Sequence, residues 1–335
     1  MKVLTALIVC LFFASATAQD QSFVIGEISF FGYAGLPIDQ VRSSLPIREG
    51  DSLKIQDVER TRDELRQAVQ RTIGRRATDV VIVCCDDNRK MMIFVGLPGT
   101  SSRKSQYNAT PKEPVRLPQT MLDLYARAMD LNREAAQKQP DEDRSKGYSL
   151  SAYAPLRETE LSIREFAIRN ELIIRQVLRS SARREDRRAA AYALGYAEQS
   201  RNQILTLVRA SRDPDEGVRN NAVRALGVLA TFSKTLAAWI PAGQIVAMLN
   251  SGIWADRNKA AWLMNILTGP RDPRLLRALR SQALQSLVEM ARWKDRGHAW
   301  DARMILGRVA GIEEKSLEKL ATDSVEEIIS RVKKK

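Results

Sequence analysis

Asp186-Arg187-Arg188-Ala189-Ala190-Ala191-Tyr192-Ala193-Leu194-Gly195 and, further on, Asp215-Glu216-Gly217-Val218-Arg219-Asn220-Asn221-Ala222-Val223-Arg224-Ala225-Leu226-Gly227 decide the reading of this chain. Laid over one another without gaps, they share an Arg, an Ala and a closing Leu-Gly, and each opens on an acid. Two divergent copies extend the columns to Ala260 and Ala302, Met264 and Leu306, Asn265 and Gly307. Arg187, Arg219 and Arg257 stand seven residues before the aliphatic column, and Ala299 breaks that series. Spacings along the Gly column are 32, 38 and 42 residues. Each copy leads into a second amphipathic segment, near 201–211, 241–250, 273–291 and 313–332. One such helix pair cannot bury its apolar stripe alone, whereas stacked pairs can.

Start signals agree with this division. Ser200 with Gln203 and Ser324 with Glu327 have capping-box spacing. Asp213-Pro214-Asp215-Glu216 reads as an Asp cap followed by Pro at the first helical position, and Asp272-Pro273 repeats that pair. The segments resemble HEAT repeats, notably the bacterial type with an acidic-to-Arg turn followed by A-x-x-A-L-G. Trp254, Trp262 and Trp300 stand where the better copies have smaller residues. The Arg column is expected to be structural, pairing with Asp or with carbonyls of the next turn.

Outward from the repeats, residues 120–180 read as helices that cap the solenoid: one near 120–138, a break at Pro140-Asp141, and a long helix over 157–180. Residues 181–335 then hold about four HEAT-like pairs. Residues 99–119, with Pro98, Pro111, Pro114 and Pro118 in and around a Thr-Ser-Ser-Arg-Lys-Ser run, read as an exposed, semi-extended connector.

Residues 19–98 have a different grammar. Phe23 to Tyr33 is strand-like, Pro37 to Leu45 and 55–71 are helical, and Asp79 to Cys85 and Met91 to Val95 are strands around Asp86-Asp87-Asn88-Arg89. The residues Ile28-x-Phe30-x-Gly32, Pro37-x-x-x-Val41-x-x-x-Leu45 and Glu49-Gly50-Asp51-x-Leu53, followed by Val58, Leu65 and the hairpin Val80 to Val95, resemble the POTRA domain of bacterial envelope proteins. The last strand departs from that pattern by ending Phe94-Val95-Gly96-Leu97 rather than on an acid. The resemblance implies a β-α-α-β-β domain whose second strand lies at the sheet edge, where Val81, Val83 and Cys85 would receive an added strand. Both alternating sets of Val80 to Cys85 are apolar, so the second sheet face should be covered, by the rest of the chain or by a partner. Taken whole, the fold class is multidomain, a small α+β domain followed by an all-α solenoid.

The first eighteen residues set the compartment. Lys2 is a basic n-region, Val3 to Phe13 an apolar core, and Ala16-Thr17-Ala18 a cleavage site. The apolar run falls short of the roughly twenty residues needed to span a bilayer, and no later segment does so. The mature protein is therefore expected to be exported, periplasmic or secreted, without a transmembrane segment. Cys84 and Cys85 remain. Neighbouring Cα atoms stand about 3.8 Å apart and strand neighbours point to opposite faces, so two buried thiols are expected rather than an intramolecular bridge.

The composition excludes much chemistry. Among 335 residues there are one His and three Cys, and no phosphate loop, nucleophile elbow or zinc signature occurs. His298, near Asp295 and Asp301, is read as a helix-start histidine, and no metal or cofactor is implied. The formal charge is +13, most of it from Arg, with Arg179, Arg183, Arg184 and Arg188 in the densest run. These four are the candidates for a basic binding face. Export directs such a face toward anionic polymers or acidic proteins and counts against nucleic acid. The expected function is a non-enzymatic protein–protein interaction scaffold of the envelope or extracellular space. The alternatives are an accessory factor in envelope-protein assembly or secretion, and a polyanion-binding repeat protein.

Overall fold

The computed structural model describes residues 22–103, 106–139 and 141–334. The export segment read in residues 1–18 lies outside the described residues. No helix among those described is long and apolar enough to cross a membrane.

The N-terminal domain is built from β1 (Ser22–Phe31), α1 (Ile38–Ser44), β2 (Ser52–Lys54), α2 (Val58–Ile73), β3 (Asp79–Val83) and β4 (Met91–Gly96). The sheet order is β2-β1-β4-β3, with β1 parallel to β4 and the other neighbours antiparallel. The short β2 adds a strand to the three expected. Helix α2 buries Leu65, Ala68 and Val69 on one face. It stops at Gly74, whose φ of +68° lets its N–H return to the Gln70 carbonyl at 2.9 Å.

Alternation along β4 divides the molecule's two cores. Met91, Ile93 and Val95 join the core under α1 and α2, whereas Met92 and Phe94 point the other way into the helical core. Phe31 of β1 does the same. The second sheet face is thus covered by the chain's own helices, as its double apolar pattern requires.

Strand β3 ends at Val83, two residues earlier than expected, so Cys85 is not part of the edge strand. Cys84 and Cys85 are joined by a disulfide. The opposed-faces argument against such a bridge assumed a continuing strand, and the strand has ended at Val83.

The solenoid begins with α3 (Gln119–Lys138), a small hairpin of β5 (Glu142–Asp143) and β6 (Leu150–Ser151), α4 (Ala154–Arg169) and α5 (Glu171–Ser180). The single helix expected over 157–180 is therefore two. It breaks at Asn170, whose side-chain amide donates to the Phe166 carbonyl at 2.9 Å and competes with the helix ladder. The repeats follow as α6 (Arg184–Leu194) with α7 (Arg201–Ala210), and α8 (Glu216–Phe232) with α10 (Ala242–Met248), separated by the short α9 (Lys234–Ala238). Then come α11 (Trp254–Thr268) with α12 (Pro273–Ala291), and α13 (Arg296–Val309) with α14 (Glu314–Asp323) and α15 (Val325–Lys334). First helices α6, α8, α11 and α13 stack in one layer, and α5, α7, α10 and α12 form the second. Gly227 and Gly307 explain the small-residue column, because a Cβ there would collide with Trp262 and Leu317 of the neighbouring helices.

The caps are partly displaced from their expected positions. Ser200 caps α7 through the Gln203 N–H at 3.0 Å, and Asp272 caps α12 through Arg274. The cap of α8 is Asp215 rather than Asp213, because Asp213 is held by Arg187. Ser324 offers Glu327 its backbone carbonyl, so no capping box forms there.

The Arg column runs through the turns as a buried ladder. Arg187 grips Asp213 with two bonds of 2.9 Å, Arg219 meets Asp256 at 2.8 Å, and Arg257 meets Glu289 at 3.3 Å. Each guanidinium also donates to carbonyls of the turn before its own helix: Ser181 for Arg187, Asp213 for Arg219, Ser251 for Arg257. Where Ala299 breaks the column, Arg303 one turn later donates to the carbonyls of Ala291, Trp293 and Ala321.

The connector is exposed over most of its length, yet it is ordered against the solenoid. It runs back along these turns, with Arg103, Asn108 and Glu113 donating backbone N–H groups to Asn250, Arg212 and Ser180. The contacts advance by five linker residues per repeat. Leu117 and Arg116 then close on Asp186 at the start of α6, beside the last of these turns. A Pro/Ser-rich segment can be ordered this way because turn carbonyls are unsatisfied acceptors at helix ends.

Arg219→Met strands the carboxylate of Asp256, which is 2% exposed, so it should cost about 3–5 kcal/mol. Arg184→Met, at a surface ion pair, should cost less than about 1 kcal/mol. Denaturant midpoints measured on both variants check the contrast, and equal midpoints would refute the ladder's role.

Candidate functional site

Two features stand out once the ladder has consumed its arginines. The first is a groove between the second-helix layer and the linker. One end is a cavity of about 190 Å³ bounded by Asn108, Pro111, Arg175, Arg179, Leu205 and Arg209. Farther along lies a cavity of about 370 Å³ bounded by Arg103, Tyr107, Gln244, Met248 and Gln282. Gln244 spans α10 to α7, donating to Val208 O at 2.5 Å and Ser211 Oγ at 2.6 Å, so the helices form a continuous wall.

The wall is predominantly basic, and the carboxylate that lines its first cavity, Asp213, is held by Arg187. Helices α7, α10 and α12 carry Arg201, Arg209, Arg274, Arg277 and Arg280, and their single carboxylate, Glu289, is 1% exposed within the ladder. Arg175 is neutralised by Glu171 at 3.2 Å. Arg103, Arg179 and Arg209 have no side-chain partner among the described residues. Leu205 and, at the neighbouring α4–α5 corner, Ile168 and Leu172 are exposed. Basic side chains interleaved with apolar ones suit an acidic, partly apolar ligand surface.

The basic run read from the sequence does not form one face. Arg179 lines the groove, but Arg183 pairs with Asp186 at 3.2 Å, Arg184 with Glu185 at 2.9 Å, and Arg188 with Asp215 by two bonds of 2.7 Å. Arg103, Arg175 and Arg209 were missed. The absence of any acid in residues 201–210 is a signal that could have found Arg209, and the other two carry none.

At the sheet, β3 is an edge strand, pairing only with β4 among the described residues. Alternation turns Asp79, Val81 and Val83 toward the solenoid. Asp79 accepts the Trp254 N–H at 2.9 Å, and Val83 packs on the helical core. Their side chains are therefore engaged within the chain, and only the strand's outer backbone edge is open.

The second feature is a buried polar network where the β5–β6 hairpin meets the first-helix layer. Glu142 accepts from Arg224, Arg144 and Ser149. Glu160 accepts from Ser151 N at 2.7 Å and from the Tyr196 hydroxyl at 3.1 Å, and Tyr196 reaches Tyr192 at 3.2 Å. Burial alone would raise the Glu142 pKa, but Arg224, Ser149 and Arg144 outweigh it and hold the carboxyl down to about 2. Glu160 is pushed up to about 7, first by burial and then by the Glu142 charge, with the Ser151 and Tyr196 hydrogen bonds opposing. Such a divergent carboxyl pair can mark acid–base chemistry. Here every carboxylate oxygen is engaged by a protein donor, so the pair ties the hairpin to α4, α6 and α8. Among the described residues no group of three or more His, Cys, Asp and Glu is placed to hold a metal ion. His298 sits behind the α13 cap Asp295, edge-on to Phe94 and Trp254.

No protein-family model matches the chain, and no curated protein does. Among solved structures, an engineered protein is 18% identical over 61% of this chain and 94% of its own, at a TM-score of 0.39. A designed armadillo repeat protein in complex with the peptide (KR)4 is 15% identical over 64% of this chain and 96% of its own, at 0.38. A computationally designed armadillo repeat protein for modular peptide recognition covers 64% of this chain and 97% of its own at 14% identity and 0.37. The chain's own architecture is a small sheet domain followed by a helical-repeat solenoid.

Glu160 dictates a pH dependence. Its folded pKa lies above the unfolded value of about 4.3, so its contribution is full below that pH and is lost as pH rises through about 7. Glu142 acts oppositely, contributing above about 4.3 and losing that contribution as pH falls through about 2. Glu160→Gln should therefore flatten the decline in stability from about pH 5 to 8, measured by urea unfolding across that range. Parallel curves for variant and parent would exclude the assignment.

Proposed function

We propose that this chain is an exported, non-enzymatic interaction scaffold, periplasmic or secreted, whose second-helix groove binds an acidic, extended segment of another protein. The observation that carries the reading is the groove's basic excess. Arg103, Arg179 and Arg209, with no side-chain partner among the described residues, line it, its carboxylate Asp213 is held by Arg187, and α7, α10 and α12 supply no exposed carboxylate. Solenoids present such continuous surfaces to extended ligands. The linker makes the groove's second wall, and its exposed backbone gives the ligand hydrogen-bonding groups beside the cations.

The resemblance to POTRA domains and to HEAT repeats supports an envelope setting, and the parallel β1–β4 pair with β3 at the edge agrees with the first. A role as accessory factor in envelope assembly would use that edge for β-augmentation. Because the β3 side chains are turned into the solenoid, the groove is the favoured surface. A polyanion-binding role remains the second reading, favoured by the same arginines.

Photo-crosslinking from position 205 in envelope fractions, compared with an Arg179→Glu/Arg209→Glu variant, tests the proposal. Charge reversal should weaken capture at least about tenfold, and capture unchanged by reversal would remove the groove as the site. Heparin retention that falls linearly on a log–log salt plot, without any crosslinked protein, would favour the polyanion reading. N-terminal sequencing of the mature protein checks export, with Gln19 the expected first residue.

A further inference from the structure

We propose that a separate cavity, on the first-helix layer between α8, α11, α13 and the loop joining β5 to β6, binds a small oxyanion, a phosphate or a carboxylate, through Lys259. The cavity measures about 190 Å³ and is lined by Arg144, Arg224, Asn258, Lys259, Trp262 and Asp301. Three cations thus converge on it from three different elements.

Their bookkeeping leaves one charge over. Arg144 and Arg224 share Glu142, with Arg144 Nη2 at 2.6 Å from that carboxylate. Asp301 accepts from the Asn265 amide at 2.7 Å, and burial raises its pKa. Lys259 makes no hydrogen bond or ion pair among the described residues. It is half-buried by surface area, and its ammonium is held among protein groups. Burial, then the Arg224 charge, pushes its pKa down to about 8, with Arg144 adding to this and Glu142 and Asp301 opposing. The half-buried His298 has its own pKa lowered, first by burial, with the Lys259 charge adding to this and Asp295 opposing.

An ammonium offers three donors and no acceptor, and the nearby carboxylates are already engaged, Glu142 by Arg224 and Arg144 and Asp301 by Asn265. An oxyanion supplies what is missing. Asn258 lines the same cavity, with its Oδ1 facing His298 Nδ1 at 3.3 Å and its amide N–H groups making no hydrogen bond among the described residues. Trp262, with the Arg144 guanidinium 5.1 Å over its ring, forms a rigid wall that limits the ligand to a small group. The site lies in the opposite helix layer from the groove, so it stands independently of the proposed scaffold function.

The test uses the full mature chain with potassium phosphate or potassium acetate, each against potassium chloride at equal ionic strength. Saturable binding by calorimetry should accompany a rise of at least about one unit in the Lys259 pKa followed by ¹⁵Nζ NMR, a tenfold change in proton affinity. Lys259→Met should weaken that binding at least about tenfold while leaving the thermal midpoint in chloride no lower than the parent's. Should that variant fail to fold, Asn258→Asp places a competing carboxylate beside the ammonium and should produce the same loss. A response to phosphate alone or acetate alone identifies the source of the anion, and either supports the site. No saturable response to either salt, or undiminished binding in both variants, overturns it.

Discussion

The pair formed by Arg257 and Glu289 holds the molecule's parts together. Both residues are buried, and their charges meet at 3.3 Å. The Glu289 carboxylate also accepts from Gly32 N at 2.7 Å, Ala34 N at 3.1 Å and the Ser101 hydroxyl at 2.5 Å. Arg257 in turn donates to the Ser101 carbonyl at 2.7 Å. Sheet domain, linker and solenoid therefore share one charge pair. Burial pushes Arg257 down to about 10, which still leaves it charged at neutral pH. Buried pairs give little net stability over apolar replacements, but losing one partner is severe. That asymmetry suits an interaction whose role is to specify where a domain docks.

Around this pair, apolar surface supplies the adhesion. Phe94 stacks on Trp254 at 5.1 Å and meets Trp293 edge-on at 5.0 Å, while Trp293 donates to the Phe30 carbonyl. Glu27, 3% exposed, accepts from the N–H groups of Lys294 and Asp295 at the start of α13. An acid placed there satisfies donors that a helix start leaves open. The aromatic departures of the third repeat thus have a reason: Trp254 receives the sheet, and Trp262 packs on Gly227.

The repeats were legible because helical periodicity and small-residue columns are local and recur. The structural role of the Arg column was legible for the same reason. What escaped the reading depends on distant partners. Asp213 resembles a cap until Arg187, 26 residues away, claims it. Glu289 resembles an ordinary solvated helix acid until Gly32, 257 residues away, is placed beside it. The linker's exposure was legible, but not its docking along the solenoid, because that order comes from backbone bonds to turn carbonyls. Val81 and Val83 were rightly put on an edge strand, but nothing local shows which of its faces meets the solenoid. The cysteines misled because alternation was carried two residues past the strand's end. Of the groove, only Arg179 was identified, since a surface assembled from α5, α7, α10 and the linker has no contiguous sequence pattern.

Helical-repeat arrays ordinarily tolerate a gained or lost repeat, since each unit touches only its neighbours. The five-residue stride of the linker removes that freedom. Its N–H groups meet successive turns in register, and its two ends are anchored, one at Asp186 and the other at the Arg257–Glu289 pair. Repeat number is consequently written twice in this chain, once in the helices and once in the length of the strap. An insertion in one would have to be matched in the other, so the array is held at a fixed length by a segment that belongs to none of its repeats.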